Sequence, residues 1–171
     1  MCRRTDLLCS LVFGCVALGF YPPLARPEGQ DANDNKNSRR LVGSLRGKWL
    51  QQSRTLNGER LEDPGGVYLL VTDDGMMQTY SPVESSEGPG PTLVENVHYR
   101  LDAAKDPVAI DTAGRTDWTD LSRGICRLEN DSLTLCFAAK DQPRPTIFST
   151  GAGAGKGVVL IVYKRVVKDR E

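Results

Sequence analysis

Beyond residue 40, apolar and polar residues alternate along most of the chain, as in strands that are buried on one face. Turn-forming groups such as Asn57-Gly58 separate these alternating segments. About eight or nine short strands divided by such turns are typical of an antiparallel barrel or sandwich. We predict strands over residues 48–55, 67–72, 76–83, 93–101, 107–111, 125–129, 132–137, 146–149 and 158–166.

Finer patterns place single elements and side chains. Leu41, Val42 and Leu45 share one face of a short predicted helix over residues 38–45. In the strand over residues 93–101, alternation divides the side chains into two sets: Val94, Asn96, His98 and Arg100 on one face, and Leu93, Glu95, Val97, Tyr99 and Leu101 on the other. The large apolar residues expected to fill the interior are Leu69, Val71, Leu128, Leu133, Leu135, Phe137 and Leu160.

A glycine-rich stretch from Thr150 to Gly157 contains a lysine and raises the question of a phosphate-binding loop. A Walker loop needs glycine where Thr150 stands and Ser or Thr where Gly157 stands. It also needs a following helix, whereas Val158 opens a β-branched run that favours a strand. We therefore predict a connector between the last two strands and no bound nucleotide.

The first 25 residues have the features of an export signal. Arg3 and Arg4 precede a mostly apolar, uncharged run over residues 7–18. This run is shorter than the about 20 residues of a membrane-spanning helix. We therefore predict export to the periplasm, the cell envelope or the extracellular space, with no transmembrane span in the mature chain.

Processing has alternative routes. Cleavage after Gly19 or after Ala25 would remove a signal peptide, whereas Cys15 is a candidate lipidation site because the residues before it loosely resemble a bacterial lipobox. Residues 26–40 are rich in Pro, Gly, Asn and Asp and predict a disordered linker. The folded domain is predicted over residues 41–167.

Charge and composition narrow the function classes. Twenty-two Lys and Arg residues balance 22 Asp and Glu residues, without a basic stripe, so no nucleic-acid partner is expected. The single histidine, His98, stands beside no nucleophile motif, so we expect no enzyme; a hydrolase that pairs His98 with a carboxylate is the weakest alternative. No Cys-x-x-Cys or His-x-x-x-His spacing occurs, so neither a metal nor a cofactor is expected.

Two cysteines, Cys126 and Cys136, lie in the predicted domain, in a hairpin that turns at residues 130–131. A two-residue turn sets Cys126 opposite Leu135 and Cys136 opposite Ile125, which puts the two thiols on opposite faces. A disulfide is therefore not expected, unless a β-bulge reverses the parity.

Two polar positions are predicted to be structural. Asp111 closes a predicted strand and is expected to form a turn or cap an amide rather than act as a base. The loop over residues 117–120 carries one aromatic residue, Trp118, which is expected to pack on the surface or to form the rim of a binding site.

The segment Leu45-Arg-Gly47-Lys-Trp49 resembles the Gly-x-Trp entrance of lipocalin-like barrels. Residues 41–166 resemble a family of small exported domains of uncharacterised function that is abundant in planctomycete bacteria. That family usually has an aromatic residue where Cys126 stands, and the loop over residues 84–91 is longer here. The matching segments are residues 45–49, 99–102, 107–111, 124–125, 128–138, 144–149 and 158–165.

This resemblance implies an up-and-down lipocalin-like β-barrel without established catalytic residues. It also implies that Trp49, preceded by Gly47, closes one end of the barrel beneath a basic residue of the last strand, Arg165 or Lys164. A barrel of about eight strands is either filled by side chains or holds one small ligand. We expect a non-enzymatic exported domain that binds a small apolar or amphipathic molecule; a structural or protein-interaction module of the cell envelope is the alternative.

Overall fold

The computed structural model describes residues 38–62, 65–82, 90–151 and 153–167. The predicted signal, Cys15, most of the predicted linker and most of the loop over residues 84–91 lie outside them. Within the described residues, a helix α1 (residues 38–45) precedes nine strands. The strands are β1 (Gly47–Leu56), β2 (Glu59–Leu61), β3 (Tyr68–Val71), β4 (Met76–Ser81), β5 (Thr92–Asp102), β6 (Val108–Ala113), β7 (Ser122–Glu129), β8 (Ser132–Phe137) and β9 (Val159–Arg165).

Eight antiparallel strands close into an up-and-down β-barrel. They follow one another in the order β1, β3, β4, β5, β6, β7, β8 and β9, and β9 pairs back with β1. The ninth strand, β2, is an extra strand that forms a hairpin with the end of β1. Asn57 and Gly58 make that turn with positive φ angles of 52° and 88°, as hairpin turns of this length require. The predicted all-β barrel with a short N-terminal helix is confirmed.

The barrel is filled at the end that α1 covers. Leu45 of α1 and Trp49 of β1 are fully buried there. Around them, strands contribute apolar side chains at alternate positions, as the pleat requires. The buried members of this interior cluster are Leu45, Trp49, Leu69, Val71, Met77, Tyr99, Ile110, Cys126, Leu133, Leu135 and Tyr163. We call this end, which Leu45 and Trp49 occupy, the closed end.

A second, smaller apolar cluster lies outside the barrel. Ile125, Cys136 and Val158 are buried in it, and Phe148 and Leu160 pack against them. The prediction that Leu160 fills the interior is wrong, because its register opposite Cys136 places it on the outer face of β9. The long connection between β8 and β9 covers that face, so apolar residues occupy both sides of the sheet here.

Local departures from the predicted strands have physical causes. Residues 146–149 form bends within the β8–β9 connection instead of a strand, and the glycine-rich stretch belongs to the same connection. In β5, Val94 is an extra residue, because Thr79 pairs with Glu95 while Tyr80 pairs with Leu93. This bulge turns Leu93 outward, where its side chain is 46% exposed, instead of placing it on the face of Glu95.

The predicted register of the cysteine hairpin is confirmed. Cys126 pairs with Leu135 and Ile125 with Cys136. Cys126 belongs to the interior cluster and Cys136 to the outer cluster, and both thiols are free. Burial raises the pKa of the Cys126 thiol to about 12, and it also raises the pKa of Cys136.

We expect both thiols to resist alkylation at pH 8. The Cys126 thiol, with a pKa of about 12, is about 10⁻⁴ ionised at that pH, and burial also raises the pKa of the Cys136 thiol. The measurement uses iodoacetamide and mass spectrometry on the full chain with Cys2, Cys9 and Cys15 replaced by Ser. Both thiols should react rapidly once denaturant unfolds the barrel. A disulfide between Cys126 and Cys136 in the folded protein would contradict this prediction.

Tyr99 carries the one buried side-chain polar atom without a hydrogen-bond partner among the described residues. Its ring packs in the interior cluster, and burial raises the pKa of its hydroxyl, against the lowering influence of Arg46. An unpaired buried hydroxyl costs about 1–3 kcal/mol of desolvation.

Tyr99→Phe should therefore stabilise the protein by roughly 1 kcal/mol, since it removes this unpaired group and keeps the ring. The midpoint of urea unfolding measures the effect. Tyr68→Phe is the matched control, because the Tyr68 ring stacks on Tyr80 at 4.9 Å on the outer face of β3 and β4. Equal effects of the two substitutions would show that the Tyr99 hydroxyl is not an unsatisfied group.

Candidate ligand site at the open end of the barrel

The resemblance to lipocalin-like barrels implies that Gly47, Trp49 and Arg165 close the barrel, and these residues lie together at the closed end. The Arg165 guanidinium carbon lies 4.0 Å from the centroid of the Trp49 ring, within cation–π range. Arg165 also donates hydrogen bonds to the backbone oxygens of Arg46 at 2.9 Å and Ser44 at 2.5 Å. The Trp49 indole donates to the backbone oxygen of Leu45 at 2.7 Å. These contacts fix α1 across the end of the barrel.

Gly47 is placed so that this arrangement can form. Its φ angle of 120° is one that other residues rarely adopt, and an added Cβ would lie 3.4 Å from an Arg165 nitrogen. Lys164, the alternative cover for Trp49, pairs with Leu50 and is exposed on the outer face. The structure thus brings Gly47, Trp49 and Arg165 together.

The opposite end of the barrel holds a cavity of about 220 Å³, and we call it the open end. An engineered cavity of about 150 Å³ holds benzene, whereas drug-sized ligands occupy roughly 300 Å³ or more. The cavity therefore suits one compact apolar group. Its floor is formed by inward-facing apolar side chains, including Leu69, Met77, Val97, Leu135, Phe137 and Ile161.

A glycine shapes this floor. Gly124 lies directly opposite Phe137 in the β7–β8 ladder. A Cβ on Gly124 would lie 2.5 Å from the Phe137 ring and 2.8 Å from the backbone oxygen of Cys136. The missing side chain therefore lets the aromatic ring lie flat against β7, which keeps the space above it open.

Five polar side chains line the same cavity, and we call them the rim. They come from five strands: Arg54 on β1, Thr79 on β4, Glu95 on β5, Thr112 on β6 and Ser122 on β7. The ladders place Thr79 opposite Glu95 and Thr112 opposite Ser122.

None of the five rim side chains has a hydrogen bond or an ion pair with another described residue. Arg54 and Glu95 are exposed to solvent, whereas Thr112 is only 8% exposed. The rim therefore offers donors, acceptors and one charge of each sign to a ligand.

A larger pocket of about 570 Å³ lies on the outer surface. Three of its charged side chains pair with one another: Asp111 accepts hydrogen bonds from Arg144 at 2.6 Å and from Arg100 at 3.2 Å. Arg144 also donates to the backbone oxygens of Ile110 at 2.9 Å and Gly124 at 2.6 Å. These bonds tie the β8–β9 connection to the barrel wall, so they are structural.

Asp111 lies within β6 and does not cap a turn, so the expectation for this carboxylate is wrong. Its partners, Arg100 and Arg144, are far from it in the chain, which is why local sequence did not reveal the pairs. Arg100 also stacks over the Trp118 ring at 4.5 Å. Trp118 thus packs against a neighbouring side chain on the surface.

The weakest of the functional alternatives, a hydrolase, requires that His98 pair with a carboxylate. His98 is half-buried on the outer face of β5, opposite Met76 and Ala113. Among the described residues, it makes no hydrogen bond or ion pair with a carboxylate. The structure therefore does not bring His98 into a catalytic pair or to the rim.

Within residues 38–167, as far as the structure describes them, no three His, Cys, Asp or Glu side chains are grouped to hold a metal ion. Among the described residues, no helix has the length and apolar character needed to cross a lipid bilayer. Comparison of the chain with protein-family models, with curated proteins and with solved structures found no match. The function proposed below is therefore inferred from the geometry of the barrel.

Proposed function

We propose that the chain is an exported, non-enzymatic domain whose barrel binds one small amphipathic molecule at the open end. The observation that carries this proposal is the 220 Å³ cavity, with its apolar floor and its five unpartnered rim groups. An apolar floor supplies affinity at about 25 cal/mol per Å² buried, and a few polar groups fix orientation.

The size of the cavity limits the ligand. At about 220 Å³, it exceeds a benzene-sized site only modestly. A compact group fits, whereas an extended long acyl chain would project into solvent. The ligand is therefore smaller than a fatty acid.

The chemistry of the rim supports binding. The hydroxyls of Thr79, Thr112 and Ser122 can donate and accept hydrogen bonds to the polar part of a ligand. Export is supported by the paired arginines and the apolar run at the N-terminus, and by the resemblance to small exported planctomycete domains. Lipidation at Cys15 would anchor the domain to the cell envelope.

The test is a thermal-shift screen of the full chain against compact amphipathic molecules, followed by calorimetry of the hits. Val97→Phe fills the cavity floor and should abolish binding. Val94→Phe is the matched control, since Val94 lies on the same strand and is 58% exposed on the outside. If no compound binds, or if Val97→Phe binds as tightly as the wild type, the proposal is wrong.

The alternative, a structural or protein-interaction module of the cell envelope, is favoured by a different surface. Leu50 and Val166 are 37% and 41% exposed beside the stacked rings of Tyr68 and Tyr80. Apolar side chains grouped on a surface often mark an interface. Capture of a specific envelope protein that is lost in a Leu50→Glu variant, without ligand binding at the open end, would support this alternative.

A further inference from the structure

The open end presents two opposite charges that are not neutralised by each other. Arg54 and Glu95 are the charged side chains that line the cavity, on strands separated by β3 and β4. Neither makes an ion pair with another described residue. The rim is therefore neutral overall, but it has a cationic site and an anionic site.

Each charge selects a different ligand group. The planar guanidinium of Arg54 matches a carboxylate, which it binds through two parallel hydrogen bonds. The carboxylate of Glu95, with the Thr79 hydroxyl opposite, accepts hydrogen bonds from an ammonium group. A ligand with only one charge would leave one of these groups unpaired beside it, or would be repelled by it.

We propose that the ligand is a small zwitterion with one compact apolar side group, of the class of apolar α-amino acids. This inference rests on the proposed function. The apolar side group occupies the floor, the ligand carboxylate contacts Arg54, and the ligand ammonium contacts Glu95. The hydroxyls of Thr112 and Ser122, on the adjacent strands β6 and β7, complete the polar contacts.

The experiment compares four ligands with the same side group by calorimetry on the full chain: leucine, leucine amide, N-acetylleucine and N-acetylleucine amide. These carry both charges, only the positive charge, only the negative charge, and no charge. Leucine should bind roughly tenfold more tightly than each of the others. A parallel phenylalanine series separates the effect of side-group size from that of charge.

Charge-removing variants test the two contacts separately. Arg54→Gln should weaken leucine binding about tenfold but should not weaken the binding of leucine amide, because it removes a repulsion between two positive charges. Glu95→Gln should likewise weaken leucine binding about tenfold but should not weaken the binding of the anionic N-acetylleucine. Arg123→Gln and Glu129→Gln, both exposed on β7, are the matched controls and should have no effect.

The outcomes distinguish the inference from the proposed function. The zwitterion inference is wrong if an uncharged or singly charged derivative binds as tightly as leucine. It is also wrong if no zwitterion binds while another compound does, and Val97→Phe abolishes the binding of that compound. In both cases the proposed ligand site at the open end remains. If no compound of any class binds at the open end, both are wrong.

Discussion

Trp49→Ala should lower the free energy of unfolding by about 3–5 kcal/mol. The Trp49 ring is fully buried, so its removal leaves a cavity at the closed end. The backbone oxygen of Leu45 loses its 2.7 Å hydrogen bond, and Arg165 loses the ring beneath it. Because domains of this size are stable by only about 5–15 kcal/mol, the loss is a large fraction of the total.

Urea unfolding followed by circular dichroism measures this effect. Trp49→Phe keeps an aromatic ring but removes the indole donor, and should cost about 1–2 kcal/mol, which keeps the prediction testable if the Ala variant does not fold. Trp118→Ala is the control, because Trp118 lies in a surface loop and is only half-buried. A Trp49→Ala loss no larger than that of Trp118→Ala would show that Trp49 does not close the barrel.

Arg144→Met should lower the free energy of unfolding by about 2–3 kcal/mol. The substitution keeps most of the aliphatic length but removes all three hydrogen bonds to Asp111, Ile110 and Gly124. The Asp111 side chain is only 13% exposed, so its carboxylate would lose a charged partner in a poorly hydrated position. The β8–β9 connection would also lose these hydrogen bonds to β6 and β7.

Two measurements check this prediction. Urea unfolding gives the loss of stability, and hydrogen exchange should show faster exchange in the described part of the β8–β9 connection. Arg115→Met is the matched control: the Arg115–Asp117 pair spans 3.4 Å, but its side chains are 72% and 48% exposed, so its loss should cost far less stability than the loss of the Arg144 bonds. Equal losses for both variants would contradict a structural role for Arg144.

The alternating pattern was sufficient to predict the barrel because the apolar face of most strands points to one interior. The same rule predicted the register of the Cys126 hairpin, since a two-residue turn leaves no freedom in the pairing. It failed for Leu160, which lies on the outer face of β9, because the long β8–β9 connection covers that face with apolar residues. It failed for Leu93 because the bulge at Val94 shifts the alternation by one residue.

The open end was harder to predict, because its rim comes from five strands that meet only in the folded barrel. One signal was present in the sequence. Glu95 falls on the same face of β5 as Val97 and Tyr99, but it is exposed near the end of the strand. The pattern placed Glu95 correctly, but it could not show that Arg54 lines the same cavity.

The pairing of the first barrel strand with the last one also determines how the domain would be presented on a surface. Trp49 opposite Arg165 brings the start of β1 and the end of β9 to the closed end. Ser38 lies there too, where its hydroxyl accepts a hydrogen bond from the backbone nitrogen of Ala103, just after β5. A tether attached before residue 38 would therefore hold the domain by its closed end. The open end lies at the opposite end of the barrel from that attachment point, so the tether would not cover it.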